Sequence, residues 1–320
     1  MDDEIAAIER NKTWELTELP NGHKTIDMKW VYKTKLKETV ARHDTIKLVI
    51  ALTTQNSWPI FKLDVKSSFL HGDLSEQTAI RLVGTPTETS LKLVKDDNGR
   101  VVNNTLYKQI VGSLMYLTTT RPDITYVVNA ICKFMERPKE MHLQPTKRIL
   151  RYLQGTIDYG ILYKKGEKSN LIGFTDSDYA GDQDDRKSTS GYVFMLGSGA
   201  VSWSSRKQLI VTLSTTEAEL VAASACVCQA IWMRKFLEEA HFKQKGPTII
   251  YCENSSTIKL SKNPILHGQS KYIDVQYHFL RDRVNYKEID MVYCRSEDQI
   301  ADIFTKALKL ATFQKLRQML

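Results

Sequence analysis

The sequence predicts an α/β fold whose C-terminal half is a mixed sheet with helices packed on its faces. Two observations lead there. Runs of β-forming residues follow one another at Leu171–Thr175, Gly191–Leu196 and Ala200–Ser205, and Gly197-Ser198-Gly199 supplies a turn between the last two. Two more strand-like runs, Thr248–Cys252 and Ile289–Cys294, are reached only through helical segments, so meandering strands give way to strands joined by crossovers.

In chain order, Asp2–Arg10 has the spacing of a short helix and Thr13–Leu19 that of a strand. Asn21-Gly22 then turns the chain into a second strand at Met28–Lys35, which makes a hairpin. From Asp44 the spacing of Ile46, Val49, Ile50 and Thr53 predicts an amphipathic helix, and Pro59 opens an extended segment, Ile60–Val65, that carries Asp64. The character changes near residue 79. Pro86 and Asp96-Asp97-Asn98-Gly99 mark loops, followed by helices at Leu106–Thr118, Pro122–Met135 and Gln144–Gln154. In the last of these Lys147, Arg148 and Arg151 form a basic stripe beside Ile149, Leu150 and Leu153, which reads as a solvated face or as a phosphate contact. A second change near residue 169 opens the strand-rich part, with helices at Thr215–Glu239, Ser255–Leu260 and Ile273–Asn285 and a final one starting near Asp298. Three segments result: 1–78, 79–168 and 169–320.

Composition bounds the function. The chain has 320 residues, 42% hydrophobic and 26% charged, which is globular material with room for about two domains. Its 45 Lys and Arg exceed 37 Asp and Glu, giving a net charge of +8 that favours a polyanionic partner. No apolar run reaches the roughly 18 residues of a spanning helix, and the acidic Met1-Asp2-Asp3-Glu4 is unlike the start of a signal peptide. The expectation is an intracellular protein, cytoplasmic or nuclear, with no membrane partner and no small-molecule cofactor. Five scattered cysteines, Cys132, Cys226, Cys228, Cys252 and Cys294, read as small core residues rather than disulfides or a zinc site.

Four carboxylates carry the chemistry. Asp176 follows the strand Leu171–Thr175, ahead of Asp178, Asp182, Asp184 and Asp185, which fit turn roles. Glu253 follows the strand Thr248–Cys252, at a carboxyl end, where open α/β sheets place ligands. Glu219 and Glu217 point roughly 200° apart on one helix, so only one can face the sheet. From Glu219 the helical spacing runs through Ala223, Cys226, Ala230, Met233 and Leu237, all apolar; Thr216-x-x-Glu219 fits a capping box, but Ser214-x-x-Glu217 fits one as well, and assigning the cap to Glu217 leaves Glu219 free. Glu219 therefore tops the buried stripe. Asp302 opens the last helix, where a carboxylate also suits the helix dipole. Together Asp176, Glu219, Glu253 and Asp302 are a hard oxygen set suited to Mg²⁺ or Mn²⁺, and two such ions about 4 Å apart would serve phosphodiester hydrolysis.

Longer motifs sharpen this. Gly173-Phe174-Thr175-Asp176-Ser177-Asp178-Tyr179-Ala180-Gly181-Asp182, Arg186-Lys187-Ser188-Thr189-Ser190-Gly191-Tyr192, Ser202-Trp203-Ser204-Ser205-Arg206-Lys207-Gln208, Ser214-Thr215-Thr216-Glu217-Ala218-Glu219 and Ala301-Asp302-Ile303-Phe304-Thr305-Lys306 resemble the RNase H domain of copia-type LTR retrotransposon Pol polyproteins. The resemblance implies an RNase H-like fold over 169–320 that cuts the RNA strand of an RNA/DNA hybrid with two Mg²⁺ held by Asp176, Glu219, Glu253 and Asp302. The family usually has Cys-Asp-Asn where this chain has Cys252-Glu253-Asn254, and Lys-His-Ile-Asp where it has Lys271-Tyr272-Ile273-Asp274.

The N-terminal motifs Asn11-Lys12-Thr13-Trp14-Glu15-Leu16, Lys29-Trp30-Val31-Tyr32-Lys33 and Leu63-Asp64-Val65-Lys66-Ser67-Ser68-Phe69-Leu70-His71-Gly72-Asp73-Leu74 resemble the fingers and first palm motif of the same polyprotein's reverse transcriptase. Asp64 matches its first catalytic aspartate. The family's Tyr-Val-Asp-Asp pair is absent, and by comparison sequence is missing near Glu38-Thr39 and Thr78-Ala79. Polymerisation is therefore expected to be lost, and 1–78 to fold poorly. Residues 79–168 resemble the connection between palm and RNase H. Two function classes follow: a hybrid-cutting ribonuclease, or an inactive remnant that at most binds nucleic acid through surfaces such as Lys147, Arg148 and Arg151.

Overall fold

The computed structural model describes residues 42–58, 82–89, 91–95, 98–166, 170–262 and 271–320. The expected N-terminal helix and hairpin, the extended segment Ile60–Val65 and Asp64 lie outside these residues.

Five strands form one sheet: β1 Leu171–Ser177, β2 Thr189–Leu196, β3 Gly199–Lys207, β4 Thr248–Cys252 and β5 Ile289–Tyr293. Their order is β3-β2-β1-β4-β5, antiparallel from β1 to β3 and parallel between β1, β4 and β5. This is the expected mixed sheet. Gly197, with φ of +66°, supplies the left-handed residue that lets β2 fold back onto β3 in a two-residue connection. One boundary differs from expectation. β1 continues through Asp176 to Ser177, because the antiparallel ladder with β2 runs on to Ser177 opposite Ser190 after the apolar residues end. Asp176 therefore stands inside the strand, opposite Gly191, rather than after it.

Helices cover both faces. On one face α5, Thr215–Glu239, and α7, Lys271–Asn285, bury Val227, Met233, Tyr277 and Leu280 against Phe194, Val201 and Ile250. α6, Ser255–Lys262, is tied to α5 by Thr257, whose hydroxyl donates to the Thr216 carbonyl. α1, His43–Gln55, joins this core with Leu48, Ala51 and Leu52 buried. The spacing in the sequence puts Ile46, Val49, Ile50 and Thr53 on its apolar face, yet Ile46 and Val49 are 47% and 45% exposed. The helix carries apolar residues on two sides, and docking chose between them: Gln55 donates to the Leu196 carbonyl and Gln229 to Asp44, which turns Leu48 inward.

The opposite face is covered by α2, Asn104–Leu117; α3, Thr125–Cys132; α4, Glu140–Gln154; and α8, Leu310–Gln318. Val111, Ile124, Val127, Ile131 and Ile149 share one core with Val193, Met195 and Ala200 of the sheet. The helix expected over Pro122–Met135 is divided, a 3₁₀ turn at Pro122–Ile124 leading into α3. Arg121 accounts for the break. It pairs with Asp123 at 2.8 Å and donates to the carbonyl and hydroxyl of Thr156, which holds the turn against the end of α4. The helix expected from Asp298 is also different: 3₁₀ turns at Ser296–Asp298 and Ile300–Phe304 precede α8. Gln299 fixes the second turn by donating to the Thr175 carbonyl and accepting from Ala301 N–H.

Among the described residues α5 is long and apolar enough, by length and composition, to cross a membrane, although the sequence has no unbroken apolar run of that length. Half of its most apolar stretch is buried inside the fold, as befits the central helix of this core. Three of the five cysteines, Cys226, Cys252 and Cys294, are buried as expected, whereas Cys228 is exposed.

Candidate metal centre

The four carboxylates reach one end of the sheet from four elements. β1 delivers Asp176, fully buried, and its neighbour β4 ends immediately before Glu253. Parallel pairing of these strands is what brings the two together. α5 contributes Glu219, 4% exposed, from its first turns. The choice of Glu219 over Glu217 agrees with the packing: Ala223, Cys226, Ala230, Met233 and Leu237 are all buried below Glu219. Glu217 serves the helix start instead. Ser214 accepts from Glu217 N–H while the Glu217 carboxylate accepts from Leu213 N–H, one residue earlier than the expected reach to the cap.

Ligand oxygens of Asp176, Glu219 and Glu253 all lie within 4.8 Å of one another. The longer side chain of Glu253 therefore reaches the group. Asp302, 5% exposed on the Ile300–Phe304 turn, stands beside this trio rather than in it. The link is Lys306, whose Nζ is 3.0 Å from Asp302 Oδ1, 3.5 Å from Asp176 Oδ2 and 3.7 Å from Glu253 Oε1. Thr305 adds a hydroxyl donated to Asp176 Oδ2. Sequence reasoning missed Lys306 and Thr305 as site residues, although both stand in the quoted motif; the i to i+4 interval from Asp302 to Lys306 was the available signal.

Electrostatics show a site short of positive charge. Burial, reinforced by Asp176 and Glu253, holds the Glu219 carboxyl well above its ordinary range, against the opposing pull of Lys306 and the Ser177 N–H. Asp302 is raised by burial and by Asp176, again against Lys306. Burial works against the charge of Lys306, yet Asp176, Asp302 and Glu253 together keep its ammonium above the ordinary lysine range. Asp176 Oδ1 and Glu253 Oε2 are buried and accept no hydrogen bond. Buried unpaired carboxylate oxygens are costly, and a hard divalent cation is the partner their chemistry suits. The residues present fit such an ion.

Neighbouring side chains hold the geometry. Gln208 donates to Ser177, Ser190 and the Ala218 carbonyl, tying β1 and β2 to the start of α5 beside Glu219. The other aspartates keep their turn roles. Asp178 accepts from Thr189 N–H, with burial the main cause of its rise to about 6, and Asp182 accepts from the N–H groups of Asp184 and Asp185. Asp182 also pairs with Lys133 of the segment just after α3, at 2.8 Å, and Lys207 of β3, at 2.8 Å. The basic residues of α4 have separate settings. Arg148 pairs with Glu88 at 2.7 Å and donates to Thr85, Arg151 is half-buried, and Lys147 is exposed.

No protein-family profile matches the chain. It is 43% identical over 232 residues to the retrovirus-related Pol polyprotein from transposon RE1 of Arabidopsis thaliana, covering 72% of this chain and 16% of that one. The chain belongs to the copia-type retrotransposon Pol family. Its likeness to the Pol polyprotein from transposon TNT 1-94 of Nicotiana tabacum is 38% over 245 residues, covering 74% of this chain and 18% of the other. The chain thus spans less than a fifth of the length of either of these two polyproteins. Among solved structures, LC11-RNase H1 isolated from compost aligns at 12% identity and a TM-score of 0.33, covering 43% of this chain and 93% of that one.

Proposed function

We propose that this copia-type Pol segment hydrolyses the RNA strand of RNA/DNA hybrids with divalent metal, Mg²⁺ or Mn²⁺. The observation that carries the reading is the convergence of Asp176, Glu219 and Glu253 within 4.8 Å, with Asp302 adjoining through Lys306. Asp176, Glu219 and Glu253 would hold an ion, and Asp176 with Asp302 offers oxygens for a second. Bound metal would lower the pKa of a water and steady the leaving oxygen of the phosphodiester. The protein's own part is orientation. Thr305 and Gln299 fix Asp176 and the Asp302 turn, and Gln208 fixes the approach of α5.

The polymerase half of the proposal rests on sequence: Asp64 has no Tyr-Val-Asp-Asp partners in this chain, so templated DNA extension is lost. The deciding assay follows cleavage of a labelled hybrid with Mg²⁺ or Mn²⁺. Wild type and Glu253→Asp are expected to cut, and Asp176→Asn to fall to background. Cutting that survives Asp176→Asn sinks the site assignment. An inactive wild type beside an active Glu253→Asp favours the remnant reading, in which the chain at most binds nucleic acid.

A further inference from the structure

A role for Lys306 rests on the metal-dependent reading of this site, which by itself leaves the lysine without a part. Its ammonium lies between Asp302 and Asp176, 3.0 Å from the first and 3.5 Å from the second, with Glu253 at 3.7 Å. Only Asp176, Glu219 and Glu253 gather their oxygens into one ligand set among the described residues, and Oδ1 of fully buried Asp176 has no hydrogen bond of its own. Asp302, the carboxylate that a second ion would share with Asp176, is instead the closest of the three to the lysine.

We propose that Lys306 is a tethered cation occupying the second cation position, between Asp176 and Asp302, so that the free protein binds one divalent ion instead of two. The chemistry supports the substitution. An ammonium is a compact, strongly hydrated point charge, and three carboxylates stand within 3.7 Å of it. A divalent ion drawn to the same two aspartates would sit against that ammonium and be repelled by it. The trio of Asp176, Glu219 and Glu253 keeps acceptors of its own: Asp176 Oδ1 and Glu253 Oε2 make no hydrogen bond and are not the oxygens nearest the ammonium, whereas Asp302 Oδ1, also without a hydrogen bond, is the oxygen 3.0 Å from it. Lys306 is anchored by its place one residue after Thr305, whose hydroxyl holds Asp176. The tether and the first ligand are thus fixed by the same short turn.

The test is a Mn²⁺ titration of the full chain without nucleic acid, read by the loss of the free-ion electron paramagnetic resonance signal. Wild type is expected to take up about one ion per chain, and Lys306→Met about two, the second at least about a hundredfold tighter than any second ion in wild type. Lys306→Arg, which keeps the charge, should remain near one. Thermal unfolding gives an independent reading. Without metal, Lys306→Met melts below wild type because the carboxylates lose their counter-charge, and Mn²⁺ raises its midpoint by more than it raises that of wild type. Two ions in wild type, or one in Lys306→Met, overturns the proposal. Asp176→Asn separates the layers: if it binds the first ion as wild type does, the metal centre itself is wrong, whereas an unchanged count in Lys306→Met sinks only the role of the lysine.

Discussion

At the scale of single residues, Lys47 shows how burial penalises charge. Its side chain is 14% exposed, with Nζ 3.3 Å from the centre of the Trp203 ring and 3.6 Å from Asp44. Burial lowers its pKa from 10.5 to about 8, only partly countered by Asp44. Between about pH 8 and 10.5 the unfolded chain holds this proton and the folded chain does not, so this residue's contribution to stability rises with pH there. Below pH 8 both states are charged and the penalty is complete, on the order of 3 kcal/mol. Lys47→Met should therefore be more stable than wild type at pH 7, with the difference shrinking by pH 10.5. Urea unfolding at the two pH values measures it, and taking the difference cancels the titration of tyrosines and cysteines; a gap that widens with pH contradicts the account. The candidate site was partly legible at this scale. Glu219 could be chosen over Glu217 because a buried stripe has a period, and the structure keeps that choice. For Lys306 the i to i+4 interval from Asp302 gave a local hint of one ion pair, but its approach to Asp176 and Glu253 is a distance across elements that no local pattern carries.

At the scale of elements, the sheet was legible and its margins were not. The five strands were readable because β-branched and apolar runs mark them, and α5 because its bounds coincide with a capping serine and a long apolar face. Polar residues that extend a strand by pairing alone, as Asp176 and Ser177 do, leave no such mark. Nor do the 3₁₀ turns at Pro122–Ile124 and Ile300–Phe304, which are held by Arg121 and Gln299 through contacts distant in sequence. The second of these turns depends on Gly191. A Cβ there would lie 2.7 Å from Thr305 Cγ2, 2.8 Å from Phe304 Cβ and 3.2 Å from the Ala301 carbonyl oxygen. Since Gly191 pairs with Asp176, the missing side chain is what allows the Asp302 turn to close over the centre. Gly191→Ala should cost about 1–3 kcal/mol through overpacking and reduce hybrid cleavage together with metal uptake. Gly246→Ala, where an added Cβ meets nothing within 4 Å, is the control and should match wild type. A Gly191→Ala protein with wild-type unfolding midpoint and metal uptake would show that the close approach is dispensable.

At the scale of the molecule, composition and motif divided the chain near residue 168, but packing crosses that line. One face of the sheet is covered by α2, α3 and α4, all from 79–168, with Val111, Ile131 and Ile149 fully buried in a core shared with Val193 and Ala200. Polar ties repeat the crossing: Trp203 donates to the Thr118 carbonyl, Lys133 pairs with Asp182, and Arg317 donates to the Tyr152 hydroxyl. Motif reading separates segments by what they resemble, whereas folding joins them by the apolar area they hide from water. We therefore predict that the connection helices and the sheet unfold as one unit. Ile131→Ala leaves a cavity beneath the sheet and should cost about 2–5 kcal/mol. If the unit is single, hydrogen exchange of the β1–β3 amides accelerates in this variant to the same extent as that of the α2–α4 amides. A fragment limited to 169–320 exposes the face carrying Val193, Met195 and Ala200, and should bind a hydrophobic dye and aggregate where the full chain does not. Protection of the sheet amides unchanged by Ile131→Ala, together with a soluble 169–320 fragment of wild-type midpoint, would place the folding boundary back at the motif boundary.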